Sequence, residues 1–147
     1  MGNDLIIRTI PGSRAWLDSF HDCHVQSIGW TRDAYEFEMR LHHILEWILP
    51  APGASHYTFR MARAVLAFGS VSELSISLDW KNAALDAEIE SISIADERMT
   101  PAGNRDDRYV IGFSDLSGTI ELWSTGYEVR LLSEPVLHES NSFLGNG

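Results

Sequence analysis

The string Phe20-His21-Asp22-Cys23-His24 gathers two imidazoles, a carboxylate and a thiol, all of which can bind a metal ion. If it opens a strand, alternate side chains share a face, so Asp22 and His24 point one way and His21 and Cys23 the other. Such a strand offers two ligands together, and a third must come from elsewhere in the fold. One hypothesis is therefore a small metal-binding module or hydrolase centred on this string, with His21, Asp22 and His24 as the candidate ligands.

A structural interpretation competes with this one. The Asp22 carboxylate can accept hydrogen bonds from amides at a turn or helix end, while His21 packs as a half-buried side chain. The remaining histidines have no ligand spacing to the string; they are His42, His43, His56 and His138.

Other kinds of catalysis find less support. Cys23 and His24 are neighbours that would face opposite ways on a strand, so they do not form a nucleophile and base pair. The sequence has no Gly-x-Ser-x-Gly elbow and no glycine-rich phosphate loop. Carboxylates two residues apart, Glu36/Glu38 and Glu88/Glu90, are typical of a strand face turned to water. We therefore expect no catalytic residue and no cofactor.

Charge gives the second lead. The 147 residues carry a net charge of -10, and residues 1–73 hold six basic and eight acidic side chains against five and thirteen in residues 74–147. So acidic a chain disfavours a nucleic-acid partner, because phosphates are neutralised by Lys and Arg. The acids are either a solvated face or a surface for a basic protein. The candidate partner-binding acids are Asp86, Glu88, Glu90, Asp96, Glu97 and Glu121.

Trp123 joins these candidates because of its place in an alternating strand. Ile120 and Leu122 alternate with Glu121 and Trp123, so the tryptophan shares the acidic face rather than the apolar one. A tryptophan among acids suits an anchor at a protein interface, although packing is the usual role of the five tryptophans.

The elements that must position these residues are mostly strands. Pro11-Gly12-Ser13 begins one short N-terminal helix with Trp16, Leu17 and Phe20 on one face. After it, apolar and polar residues alternate with period two over most of the chain. The sequence thus predicts a mainly β domain, all-β or α+β, with eight to nine mostly antiparallel strands in a sandwich or open barrel. An alternative makes Met39–Leu49 a helix, because Leu41, Ile44, Leu45 and Ile48 also fit helical spacing.

The chain reads as a single β-rich domain, residues 1–137, followed by a flexible C-terminal tail, residues 138–147. One cysteine excludes an internal disulfide. Neither a signal peptide nor an apolar run of membrane-spanning length is present, so we expect a cytoplasmic protein without a membrane partner.

Several of these segments together resemble a known family. They are Phe20-His21-Asp22-Cys23-His24-Val25-Gln26-Ser27-Ile28, Leu66-Ala67-Phe68-Gly69-Ser70-Val71-Ser72-Glu73-Leu74, Tyr109-Val110-Ile111-Gly112-Phe113 and Gly118-Thr119-Ile120-Glu121-Leu122. The chain resembles, over residues 13 to 132, bacterial immunity proteins of polymorphic toxin systems, the family designated number fifty. The resemblance implies a protein that binds and neutralises a cognate toxin without catalysis. His21 and Asp22 match its opening motif, whereas the stretch from Asp86 to Glu97 has no counterpart in the family pattern.

The leading hypothesis is therefore a non-enzymatic, acidic protein-binding domain that masks a basic toxin such as a nuclease. Besides the metal module, a self-associating structural β-domain is the other alternative, since exposed strand edges can pair with a second copy to form a homodimer.

Overall fold

A computed structural model of the protein describes residues 5–31, 34–48, 52–53, 58–79, 87–114 and 116–138. These residues form a mainly β structure, which confirms the predicted fold class. Asp86, one of the candidate partner-binding acids, lies outside the described residues, as do residues 139–147 of the expected tail. In the described part of the chain no helix is long and apolar enough to cross a membrane.

The described elements are one short 3-10 helix and ten strands. The helix, η1, spans Arg14–Phe20. The strands are β1 (Arg8–Pro11), β2 (His24–Thr31), β3 (Glu36–Ile48), β4 (Thr58–Gly69), β5 (Ser72–Asp79), β6 (Ala87–Met99), β7 (Arg105–Phe113), β8 (Ser117–Ser124), β9 (Gly126–Leu131) and β10 (Val136–His138).

All strand pairs are antiparallel and join into one sheet in the order β1-β9-β4-β3-β2-β6-β7-β8-β5, with β10 alongside β4. The link between the two halves of the sheet is narrow, because β2 and β6 pair only through His24 with Glu88 and Val25 with Ala87. β1 and β5 stand at the two ends of this order, and no described pairing joins them. The sheet is therefore open rather than closed into a barrel.

The two halves of the sheet fold over each other and enclose the core. Phe68 on β4 lies 5.0 Å, ring centre to ring centre, from Tyr109 on β7, and Tyr109 lies 6.2 Å from Tyr127 on β9. Along β3 the side chains of Phe37, Met39 and Leu41 are all buried, as their alternation predicts. Period-two alternation thus places one apolar face of each half inside.

Helix η1 closes one end of this interior. Leu17 and Phe20 are buried, and Trp16 packs against the core, so the predicted apolar face is confirmed. The Ser13 side chain makes no capping hydrogen bond. Instead, the Ser13 amide donates to the Tyr127 hydroxyl at 3.1 Å, and that hydroxyl donates to the Ser13 carbonyl at 2.6 Å. The start of η1 is therefore fixed by β9 rather than by its own cap.

The alternative helix over Met39–Leu49 is wrong, because Glu36–Ile48 is strand β3, paired with both β2 and β4. The β3–β4 register shifts between Ile44 and Glu46. Such a bulge adds one residue to the alternation, so the apolar positions Leu41, Ile44 and Leu45 imitate helical spacing.

The described residues form ten strands, one more than the upper predicted number. β10 is only three residues long and pairs with Met61, Arg60 and Phe59 of β4. So short a strand shows too little alternation to be recognised in a sequence. It also includes His138, the residue at which the tail was predicted to begin.

Candidate functional site

The string from Phe20 to His24 ends helix η1 and attaches it to β6. Asp22 has a φ of 69°, in the left-handed region, and β2 begins only at His24. The Asp22 amide donates to the Ile89 carbonyl at 2.8 Å, and the Ile89 amide donates to the Cys23 carbonyl at 2.9 Å. The prediction that Asp22 and His24 share a strand face is therefore wrong, because the chain turns between them.

The two histidines of the string lie in different surroundings. The His21 side chain is 58% exposed, and its Nε2 lies 3.4 Å from the Asp22 carboxylate. Its Nδ1 lies 2.8 Å from the Glu90 carbonyl oxygen, which can only accept, so Nδ1 carries a proton. His24 is buried, with Nε2 3.4 Å from the Glu88 carboxylate. Among the described residues, no group of three or more His, Cys, Asp and Glu side chains could hold a metal ion.

Cys23 is fully buried, and burial raises the pKa of its thiol to about 12. Its Sγ donates to the Ser19 carbonyl at 3.7 Å. The thiolate is the reactive form of cysteine, so a thiol with this pKa is not a nucleophile near neutral pH. Cys23 is part of the core beneath η1.

A groove runs between η1 and β6, next to the string. Its lining combines an apolar floor with polar and acidic groups, contributed by Leu17, Asp18, His21, Glu90, Ser91 and Ile92, and its volume is about 290 Å³. Leu17 and Ile92 are buried, whereas the Asp18 and Glu90 side chains are exposed. We call this feature the acidic groove.

Asp18 and Glu90 differ from most acids in the second half of the chain. Across the described residues neither has an ion pair with a basic side chain, and no arginine or lysine lines the acidic groove. No described arginine or lysine therefore neutralises the negative charge at this groove.

Other candidate acids are held by arginines. Glu97 lies 2.9 Å from Arg14 and 3.0 Å from Arg105, and Glu121 lies 3.3 Å from Arg108. These pairs place a cation beside Glu97 and Glu121, two of the thirteen acids after residue 73.

The structure thus separates the predicted partner-binding residues. Glu88 pairs with His24, Glu90 lines the acidic groove, and Asp96 is exposed further along β6. Glu121 and Trp123 are partly exposed on the face of β8 opposite the buried Ile120 and Leu122, as their alternation predicts.

The Trp123 ring packs against the side chain of Arg98. The Arg98 guanidinium lies 4.0 Å from the centre of its ring, a cation–π contact that covers part of the indole. Trp123 is therefore a packed outer-face side chain rather than a bare aromatic.

The carboxylate pair Glu36/Glu38 is not simply turned to water. Arg130 lies 2.7 Å from Glu36 and 3.3 Å from Glu38, and it reaches them across the small side chain of Ala67 on β4. Arg130 lowers the pKa of Glu36, whereas burial, reinforced by Glu36, raises the pKa of Glu38. The arginine and the two acids form a structural cross-strand cluster.

Asp18 was missed by sequence reasoning because a lone acid on a short helix gives no signal. Its importance comes from the packing of η1 on β6, which brings together residues about seventy positions apart. The sequence signal that did point to the acidic groove was the string from Phe20 to His24, which contains His21 and Asp22.

Comparison with known proteins gives no family: no family model matches the chain, and no curated protein or solved structure matches it either. The resemblance to immunity proteins therefore stays a prediction.

Proposed function

We propose that this chain is a non-enzymatic protein-binding domain of the immunity type, and that its acidic groove receives a basic side chain of the partner. The observation that carries the proposal is the composition of the groove. Leu17 and Ile92 form an apolar floor, and beside it lie the carboxylates of Asp18 and Glu90, which pair with no described basic side chain.

A lysine or arginine side chain fits this arrangement chemically. Each has an aliphatic stem that packs on apolar surface and a charged end that needs an acceptor. The stem would lie over Leu17 and Ile92, and the cation would meet Asp18 and Glu90. The net charge of -10 would add long-range attraction for a basic partner.

The immunity role itself is supported by the resemblance of residues 20–28 to the opening motif of that family. In this protein the same string ends η1 and positions His21 at the groove. A toxin that handles nucleic acid would present the basic surface that the groove requires.

The groove is tested with a lysine octapeptide as the probe. We expect D18N/E90Q to weaken its binding about tenfold in calorimetry, because each exposed charge pair contributes up to about 1 kcal/mol. The matched control is D96N/E134Q, which removes two exposed acids outside the groove and changes net charge equally. Equal weakening by the two double variants would contradict a defined site.

The immunity role is tested separately in cells. The product of the gene adjacent to this one should arrest growth when expressed alone, and this chain should restore growth, less efficiently as D18N/E90Q. A harmless neighbouring product, or an arrest that this chain does not relieve, would contradict the immunity role while leaving the groove measurement standing.

A further inference from the structure

A second cavity lies where three strand connections meet, away from the acidic groove. Ser70 follows β4, Thr100 to Asn104 join β6 to β7, and Thr125 joins β8 to β9. The cavity has a volume of about 500 Å³ and is lined by Ser70, Ser72, Arg98, Met99, Thr100, Pro101, Asn104, Asp106 and Thr125. That volume is in the range of small-molecule sites. We call it the turn cavity.

The connections around the turn cavity are tied to each other. The Ser124 hydroxyl donates to the Gly69 carbonyl at 2.6 Å, which joins the β8–β9 connection to the end of β4. Ser70 and Glu73 have positive φ values of 47° and 53°. Residues other than glycine rarely adopt this backbone conformation. The surrounding structure therefore holds the cavity in a preformed shape.

Asp106 is the unusual group in this lining. It is only 3% exposed, and its Oδ2 accepts a hydrogen bond from Arg98 Nε at 3.0 Å. Its other oxygen, Oδ1, is buried and has no hydrogen-bond partner among the described residues. A buried carboxylate oxygen without a donor is unfavourable, and no described residue supplies a donor to this atom.

Charge defines what that donor should be. Arg98 donates to Glu73 at 2.7 Å as well as to Asp106, so one guanidinium faces two carboxylates. The Trp123 ring beneath Arg98 holds the guanidinium in place. This group of side chains therefore keeps one net negative charge, which favours a ligand with one positive charge.

Hydroxyl groups define the rest of the ligand. Ser72 Oγ accepts from Arg98 at 3.1 Å and Thr100 Oγ1 accepts from the Asn104 amide at 3.1 Å, and neither hydroxyl donates to another described residue. Ser70 and Thr125 add two more hydroxyls, and Asn104 adds a carboxamide. Groups that both donate and accept suit a ligand that bears several hydroxyls.

We propose that the turn cavity binds a small ligand carrying one protonated amine beside several hydroxyls, the chemistry of an amino sugar, with the amine donating to Asp106 Oδ1. The site is independent of the proposed toxin binding, because its residues do not line the acidic groove.

Amide chemical-shift titrations test the proposal with three probes at about pH 6, where the amines are protonated. D-glucosamine should give saturable shifts at Ser70, Thr100, Asn104 and Thr125. D-glucose, which lacks the amine, and ethylamine, which lacks the hydroxyls, should each bind at least tenfold more weakly. No saturable shift with glucosamine, or glucose binding equally well, would overturn the proposal.

Two variants locate the interaction. D106N should weaken glucosamine binding at least tenfold, whereas the matched control D107N should change it less than twofold. Asp107 is the adjacent acid, pairs with Arg14 and Arg105, and does not line the cavity. If D106N does not fold, Thr125→Val, which removes one exposed hydroxyl, should still weaken binding. Unchanged binding in every folded cavity variant would overturn the assignment.

Discussion

At the scale of single residues, burial decides the chemistry of the histidines and the cysteine more than their neighbours in sequence do. His43 is fully buried, its ring stacks on Phe20 at 4.7 Å, and its Nε2 lies 3.1 Å from the Ser19 hydroxyl. Burial lowers the pKa of His43 to about 4. His43 is thus a neutral aromatic member of the core.

This burial predicts a pH-dependent stability. An unfolded histidine has a pKa of about 6.5, so between that pH and about pH 4 the unfolded chain takes up a proton that the folded chain does not. The contribution is fully present above pH 6.5 and is lost as pH falls toward 4, by about 3 kcal/mol. His43→Phe keeps the stacked ring and removes the titration.

Urea unfolding of both proteins at several pH values checks this prediction. The free energy of unfolding of His43→Phe should fall less steeply between pH 6.5 and pH 4 than that of the wild type. Equal slopes would show that His43 takes up its proton as readily in the folded protein as in the unfolded chain.

At the scale of elements, period-two alternation predicts a strand well where one face of that strand packs against the core. Gly118 shows what alternation does not reveal. It has a φ of 101° within β8, opposite Leu78 of β5, and a Cβ at this position would overlap the Ser77 carbonyl oxygen. β5 and β8 can therefore pair this closely only because residue 118 is a glycine and has no side chain.

We expect Gly118→Ala to destabilise the protein by at least about 3 kcal/mol, because backbone strain and a clash with β5 add together. Gly103→Ala is the matched control: its φ is 88°, but its Cβ would have open space. That control should cost only about 1 kcal/mol. Thermal unfolding of the two variants compares them, and equal destabilisation would contradict the close approach of β5.

The strands that alternate clearly could be predicted from sequence, and so could the helix face of Leu17 and Phe20. The strand order, the fold-over of the sheet and strand β10 could not, because they depend on contacts between distant residues. The turn cavity could be predicted only in part. Pro101-Ala102-Gly103-Asn104 indicates an irregular polar connection, and only the structure shows that the strands it joins pair so that Arg98 lies opposite Asp106. The unpartnered Asp106 oxygen, however, appears only when three connections are packed together.

At the scale of the whole molecule, the net charge of -10 is unevenly compensated. Arginines pair with acids on the outer faces and at the start of η1, whereas no described arginine or lysine pairs with Asp18 or Glu90 at the acidic groove. A localised negative site on an acidic molecule combines long-range attraction with a defined point of contact.

The sheet edges are the other feature of this scale. Ile7, whose amide donates to Leu131, is 41% exposed, and Ile76 on edge strand β5 is 45% exposed. The homodimer considered from the sequence would form through such edges, and it stays a prediction.

The most direct test of the central claim is a map of amide chemical shifts as a lysine octapeptide is added to the isotope-labelled protein. Binding at the acidic groove predicts the largest shifts from Leu17 to His21 and from Glu90 to Ile92, with smaller shifts at Asp96 and Trp123. Shifts of equal size over all exposed acids, or a maximum at Trp123, would contradict the account.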